Sequence, residues 1–334
     1  MATTALAPLL AAAGAAGRAA VLDGGLGQLL ADESPGLAAP DGLWAAGVAV
    51  RSPAAVRAAH RRFLDAGADI ITTATYQASA EGYIAAGLAP DERGAEALLA
   101  AALAIAVDAR ADFAAAGAGR RPLVAASLGS IGATLGNCSE YTGRYGHGVA
   151  AADIRAFHLR RFRMLARCLE QPRLRGQIDL VAVETIPSLA EAAAVVSALD
   201  ELHRSGARLP PAWVSLTAAA EDRVPTGEPV EDVVRVAAGS PHVCAVGVNC
   251  VPLGIAAGLL ARVRRATALP VVCCPNGQAW AGSAGGWRDE AARTPPGAFA
   301  AAEWVAGGAA VVGGCCRAGP EHIGALARAV RGAG

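Results

Sequence analysis

The sequence lacks an excess of charge of either sign. Its 334 residues carry 29 basic and 29 acidic side chains, so the formal net charge at pH 7 is zero. A chain without net charge has no overall field to attract nucleic acid or an anionic membrane. We therefore expect small-molecule substrates, with no nucleic-acid partner and no membrane partner. The sequence carries no signal for an oligomeric state.

Positive charge is also missing from the N-terminus. The first basic residue is Arg18, although the apolar stretch and A-x-A spacing before it resemble a secretory signal. A signal peptide places positive charge ahead of its apolar region. The hydrophobic fraction of 54% is rich in alanine, which favours helices rather than membrane spans. We expect residues 1–18 to form an N-terminal helical extension of a cytoplasmic protein.

Short apolar runs of strand length recur eight times along the chain. They are continuous rather than alternating, which is typical of strands buried on both faces. These runs lie at residues 21–25, 69–76, 122–130, 179–185, 212–218, 243–250, 269–276 and 309–316. Amphipathic helical segments lie between them, among them residues 52–67, 95–117, 153–170 and 188–206.

The alternation of strands and helices predicts an α/β fold, a single-domain (β/α)8 TIM barrel over residues 19–332. A doubly wound open sheet is the main alternative. No G-x-G-x-x-G opens a helix after the first strand, so the fingerprint typical of that alternative is missing. The sequence also has no Ser/Pro-rich linker that would divide it into domains.

Polar and reactive side chains follow the apolar body of each predicted strand. In a barrel, the C-terminal ends of the strands meet on the face that carries the active site. The residues at these ends are Asp23, residues 73–76, Ser127, Glu184, Thr217, Asn249, Cys250, Asn276, Cys315 and Cys316. That face is the predicted functional site.

Cysteines at two of these ends suggest a metal site. Cys250 is predicted to end the sixth strand, and Cys315 and Cys316 the eighth, where Gly313 and Gly314 permit an irregular backbone. No C-x-x-C is present, and free cysteine also serves as a small core residue, so spacing alone leaves both interpretations open. The pair at 273–274, within the seventh strand, is predicted to be core packing.

Six segments together resemble the homocysteine S-methyltransferase family, in particular its stand-alone members that use sulphonium methyl donors. They are "LDGGLGQLL", "ITTATYQAS", "SLGSIGATLGNCSEYTGRYG", "DLVAVETIPSLAEA", "GVNC" and "GGCCRAGPEHI", in family order between residues 19 and 330. The last two are the most specific. The resemblance implies that Cys250, Cys315 and Cys316 are the catalytic Zn²⁺ ligands.

The same resemblance implies an activity. S-methylmethionine or S-adenosylmethionine would methylate the homocysteine thiolate, giving methionine, as in methionine biosynthesis. Zinc suits this chemistry because it deprotonates a bound thiol, and three protein ligands leave one position open.

Substrate contacts are predicted around the thiols. By resemblance, Asp23 and Glu184 face the homocysteine ammonium, although Glu184 would also suit the start of the following helix. The N–H groups of Gly24 and Gly25 would bind its carboxylate. We expect Asn249 to shape the loop of Cys250 rather than to touch the substrate. Glu140 and Tyr141, both in the SEY segment, are candidates for contacts with the donor. Tyr76 and Trp44 are two more, and the rings of Tyr76, Tyr141 and Trp44 offer cation–π contacts.

Several alternatives stay open. Betaine is another donor to consider, and selenohomocysteine or selenocysteine another acceptor. A non-enzymatic zinc or redox-sensing barrel would not need Asp23 and Glu184. A cysteine-nucleophile enzyme would need a nearby base, and no histidine ends a strand. The chain departs from the family at Ser130, where proline is common, at residues 275–282 and after Arg317, which leaves the donor undecided.

Overall fold

Eight parallel strands form one sheet. The computed structural model describes residues 5–33, 42–117, 119–146, 149–278 and 294–332. The strands are β1 (Ala20–Val21), β2 (Ile70–Thr72), β3 (Leu123–Gly129), β4 (Leu180–Ile186), β5 (Ala212–Leu216), β6 (Val243–Asn249), β7 (Val271–Cys274) and β8 (Ala309–Val312). Each lies within or next to a predicted apolar run.

The sheet closes into a barrel between its first two strands. Strand order runs from β1 through β8 and down to β2, so only β1 and β2 lack a full ladder between them. A parallel bridge joins Leu22 to Ile70. The Asp69 N–H donates to the Val21 carbonyl at 2.6 Å, and the Asp23 N–H to that of Ile70 at 3.0 Å. The predicted (β/α)8 barrel is confirmed.

Helices fill the connections between the strands. They are α1 (Leu6–Ala15), α2 (Leu26–Glu33), α3 (Trp44–Arg51), α4 (Pro53–Ala66), α5 (Ala80–Ala85), α6 (Glu92–Ala115), α7 (Ile131–Thr134), α8 (Ala151–Glu170), α9 (Leu189–Arg204), α10 (Val230–Ala237), α11 (Ala256–Ala266), α12 (Ala301–Ala306) and α13 (Pro320–Arg331). The predicted helices correspond to α4, α6, α8 and α9 within three residues at each end. Among the described residues, no helix is both long and apolar enough to cross a membrane.

Side-chain caps explain several helix starts. Asp91 accepts a hydrogen bond from the Gly94 N–H at 2.8 Å at the start of α6, and Ser188 accepts one from the Glu191 N–H at 3.1 Å at the start of α9. Such caps satisfy backbone donors that have no partner within the helix. Gly67 ends α4 with a φ of 111°, a conformation that favours glycine.

Alternate residues of the strands pack into two separate cores. One core lies between the strands and the helices, and the other fills the barrel interior. In β7, Cys273 belongs to the outer core and Cys274 to the inner one. Leu6 of α1 is buried against the barrel interior. The boundary between an extension at 1–18 and a barrel at 19–332 stays a prediction.

Candidate metal centre and substrate pocket

A pocket of about 200 Å³ opens at the C-terminal ends of the strands. Every residue predicted to bind the metal, homocysteine or the donor lines this pocket: Asp23, Gly24, Gly25, Trp44, Tyr76, Glu140, Tyr141, Glu184, Asn249, Cys250, Cys315 and Cys316. Of the other predicted strand-end residues, Thr75, Thr217 and Asn276 are not among its described lining residues. None of its described lining residues has a basic side chain. The walls are therefore acidic, thiol-bearing and aromatic.

Three thiols meet at one side of the pocket. The Sγ atoms of Cys250, Cys315 and Cys316 all lie within 4.8 Å of one another. The Cys250 and Cys315 sulphurs are in disulfide contact, and the Cys250 and Cys316 sulphurs are 3.7 Å apart. Burial raises the pKa of Cys316 to about 11. A thiolate here therefore needs a cation beside it.

The thiols lie just beyond the strands rather than within them. Strand β8 ends at Val312, so the prediction that Cys315 and Cys316 end this strand is wrong, and Cys250 likewise follows β6. Beyond Val312, the Gly314 N–H donates to the Asp23 carbonyl at 3.2 Å. The φ of Cys250 is 53°, in the left-handed region. This irregular backbone allows two adjacent cysteines to face one pocket.

The predicted role of Gly25 needs correction. Its N–H donates to the Ala318 carbonyl at 2.9 Å and so is not available to bind a substrate carboxylate. A Cβ at Gly25 would lie 2.6 Å from the Cys315 carbonyl oxygen, and one at Gly24 would lie 2.1 Å from that of Ala318. We call residues 313–318 the thiol loop. The two glycines let this loop pack closely on the chain that follows β1. Carboxylate binding by Gly24 stays a prediction.

Asn249 joins β4, β5 and the thiol loop. Its Oδ1 accepts hydrogen bonds from the Thr185 N–H at 2.8 Å and the Ser215 hydroxyl at 2.7 Å, and its Nδ2 donates to the Thr185 hydroxyl at 2.8 Å. Nδ2 also lies 3.9 Å from the Cys315 sulphur. These contacts support the expectation that Asn249 orients the backbone before Cys250.

Two acids also line the pocket, Asp23, which is buried, and Glu184, which is partly buried. Asp23 accepts a hydrogen bond from the Thr72 N–H at 2.7 Å, and Glu184 accepts one from the Ser127 hydroxyl at 2.7 Å. Burial raises the pKa of Asp23 well above its ordinary value, and the nearby Glu184 raises it further. Burial also raises the pKa of Glu184 to about 7, against the opposing effect of Ser127. An ammonium group would stabilise both carboxylates.

Aromatic rings and a third acid lie on the donor side. The Tyr141 hydroxyl is 3.7 Å from the Cys316 sulphur, and Trp44 is 41% exposed at the pocket. Glu140 has a buried Oε2 without a hydrogen-bond partner in the described part of the chain. Burial raises the pKa of the Glu140 carboxyl. Burial likewise raises the pKa of the Tyr76 and Tyr141 hydroxyls well above the ordinary value.

Some pocket residues are not among those predicted from the sequence. Cys274 is buried, as predicted, but it faces the barrel interior and lines the pocket. Because successive side chains of a strand point to opposite faces, Cys273 and Cys274 could have been assigned to different sides of the sheet from the sequence. Thr72, which was not predicted, contacts Asp23, and Ser127, which was predicted only as a strand-end residue, contacts Glu184. Ser130 has a φ of −60°, within the range that proline adopts, so the φ at this position is compatible with either residue. In the segment 275–282, residues 279–282 lie outside the described residues.

Barrel enzymes carry their chemistry at this face, and here the face offers a thiol cluster of the kind that binds a soft or borderline metal ion. The fold and the site therefore define a TIM-barrel enzyme with a three-cysteine cluster beside an acidic pocket. Comparison with known proteins identifies the family within this class.

The family model described as homocysteine S-methyltransferase matches residues 20–330. Homocysteine S-methyltransferase 4 of Zea mays is 39% identical over 325 residues, which cover 95% of this chain and 90% of the maize protein. Selenocysteine methyltransferase of Astragalus bisulcatus is 34% identical over 324 residues, covering 92% and 91%. The metallated form of the Escherichia coli homocysteine methyltransferase MmuM superposes with a TM-score of 0.76 at 32% identity, covering 93% and 96% of the two chains. The chain belongs to the homocysteine S-methyltransferase family.

Proposed function

We propose that this enzyme transfers a methyl group from a sulphonium donor, S-methylmethionine or S-adenosylmethionine, to homocysteine, giving methionine. The observation that carries the proposal is the meeting of three thiols with the acids Asp23 and Glu184 in one pocket that has no basic side chain among its described lining residues. The thiols would hold zinc, and the acids would select an amino-acid substrate by its ammonium.

The donor set suits zinc. Two sulphurs bound to one tetrahedral zinc at ~2.3 Å lie about 3.8 Å apart, and the Cys250 and Cys316 sulphurs are 3.7 Å apart. Cys250 and Cys315 must be separate thiols for binding, so the site depends on reducing conditions. When bound, zinc would lower the pKa of the substrate thiol so that it reacts as a thiolate. Reduced thiols also favour a cytoplasmic location.

Homocysteine would lie between the acids and the thiols. Asp23 and Glu184 would accept hydrogen bonds from its ammonium, which offsets the cost of burying their charges. Helix α2 begins at Leu26, and its first-turn residues Gly27 and Gln28 line the pocket. The free N–H groups and the dipole of a helix N-terminus favour an anion. We assign the carboxylate to this end of the pocket.

The donor would approach from the side of Glu140. One homocysteine ammonium cannot neutralise three carboxylates, so Glu140 remains for the positive charge of the donor. The rings of Tyr76, Tyr141 and Trp44 would add cation–π attraction. An anionic methylfolate finds no basic partner among the described lining residues, so a cationic donor fits better.

Once the acceptor is a thiolate, the methyl transfer itself needs no general base. The homocysteine sulphur forms a bond to the methyl carbon while the bond from that carbon to the sulphonium breaks. The bonding pair stays on the donor sulphur, which leaves as a neutral thioether. The chain aligns the two sulphurs on opposite sides of the methyl group, which is a gain in proximity and orientation.

The test is methionine formation from homocysteine with each methyl donor in turn. We expect product with S-methylmethionine or S-adenosylmethionine and none with methylfolate. Activity with betaine alone would keep the acceptor and change the donor. Preference for selenocysteine over homocysteine would change the acceptor. No transfer with any donor by zinc-loaded protein would favour a storage or sensing role.

A further inference from the structure

A fully buried carboxylate outside the pocket joins three separate elements. Glu191, in the first turn of α9, accepts hydrogen bonds at Oε1 from the Ile131 N–H and from Nε2 of His158, each at 2.8 Å. Its Oε2 accepts one from the Tyr145 hydroxyl. Glu191 and His158 are both completely buried. None of these residues belongs to the thiol or acid walls.

Ile131 and Tyr145 lie at the two ends of one pocket wall. We call residues 131–145 the donor segment, because Glu140 and Tyr141 lie in its middle and line the pocket. One carboxylate therefore holds the start and the end of a segment whose centre faces the reacting groups. The hydrogen bonds to the segment are charge-assisted, so they are stronger than neutral ones.

Neighbouring contacts show that the rest of α8 supports the same wall. The guanidinium of Arg161 is buried and donates to the carbonyls of Gly129 at 2.7 Å and Tyr76 at 2.8 Å. Gly129 directly precedes the donor segment. Because a carboxylate only accepts, Nε2 of His158 is a donor, and α8 thereby orients Glu191.

We propose that Glu191 is a positioning residue for the methyl donor: by fixing both ends of the donor segment, it holds Glu140 and Tyr141 at the pocket. Glu191 touches neither substrate. This inference rests on the proposed function for its kinetic consequence, whereas its structural part, the restraint of residues 131–145, does not. Donor binding and the order of the segment should depend on Glu191, and homocysteine binding should not.

The experiment compares Glu191→Gln and Tyr145→Phe with Glu201→Gln. Glu201 is a matched control, because it lies on the same helix and also bonds α8 side chains, Arg155 and Arg163, but at the surface. We expect the donor KM to rise roughly tenfold in Glu191→Gln and about threefold or more in Tyr145→Phe, as for loss of charge-assisted hydrogen bonds. The dissociation constant of homocysteine should stay within about twofold, well below the change for one lost hydrogen bond.

Amide hydrogen exchange supplies a readout without any donor. Exchange across residues 131–145 should accelerate in Glu191→Gln and remain at the wild-type rate in Glu201→Gln. Unchanged exchange, an unchanged donor KM, or an equal loss of homocysteine affinity in the folded variant would overturn the inference. If the wild-type protein transfers no methyl group from any donor, the proposed function fails, and the exchange result alone decides the role of Glu191.

Discussion

Glu184 gives the pocket a pH signature at the scale of a single residue. Its folded pKa of about 7 lies above the ~4.3 of an unfolded glutamate, so folding favours the protonated form. The contribution of Glu184 to the free energy of unfolding is fully present below pH ~4.3 and is lost as the pH rises through about 7. In metal-free, reduced protein, the free energy of unfolding of Glu184→Gln minus that of wild type should therefore rise by about 2 to 3 kcal/mol from pH 5 to pH 8.

Denaturant unfolding of both proteins at the two pH values measures this difference. The surface acids titrate alike in both proteins, so the comparison measures Glu184 together with its effect on the pKa of Asp23. Stabilities that change in parallel with pH would contradict the raised pKa.

The same residue tests recognition of the substrate ammonium. We expect Glu184→Gln to weaken homocysteine binding by about 2 to 5 kcal/mol, because the change leaves a buried charge without its partner. Asp23→Asn should act in the same direction. Calorimetry on zinc-loaded protein gives the affinity, and zinc content should be unaffected in both variants. Glu140→Gln is the control that should keep homocysteine affinity; unchanged binding in Glu184→Gln would remove this assignment.

Residues of the site differ in how far the sequence predicts them. Cys250, Glu184 and Asp23 follow from the strand-end rule, because parallel strands bring their C-terminal ends together. Glu191 does not, since its partners are up to 60 residues away along the chain and depend on how a loop folds back. The hydrogen bond of the Gly25 N–H is unpredictable for the same reason, because its acceptor, Ala318, is far away in sequence.

At the scale of elements, the loop after β1, which contains Gly24 and Gly25, packs closely against the loop that carries Cys315 and Cys316. A Cβ at Gly24 would lie 2.1 Å from the Ala318 carbonyl oxygen, a contact that requires the thiol loop to move. We expect Gly24→Ala to destabilise the protein by about 1 to 3 kcal/mol, as overpacking does, and to lower zinc occupancy.

Thermal unfolding and metal content measure the two effects of this change. Gly14→Ala is the control: in α1 an added Cβ has no atom within 4 Å, so alanine should be neutral or stabilise the helix by up to about 1 kcal/mol. Equal behaviour of the two variants would show that the thiol loop does not depend on this contact.

At the scale of the whole molecule, the barrel was predictable because its strands are buried on both faces and read as continuous apolar runs. Their lengths were not predictable: β1 contains only two residues and β8 only four, since the backbone leaves the ladder early to build the site. The apolar run at residues 309–316 continues past Val312, so the sequence does not mark the end of β8. Gly313, which follows β8, packs against Leu22 and Asp23 so closely that a Cβ there would lie 2.8 Å from the Leu22 Cβ.

The most direct test of the account is the zinc content of the intact protein purified under reducing conditions, measured by mass spectrometry of the metal. We predict about one zinc per chain in wild type and in Cys273→Ala, whose side chain lies in the outer core. Cys250→Ala, Cys315→Ala and Cys316→Ala should each retain little or none, because each removes one of three ligands. Wild-type protein that neither contains zinc nor takes it up, or a site variant that binds it as wild type does, would contradict the thiol metal centre.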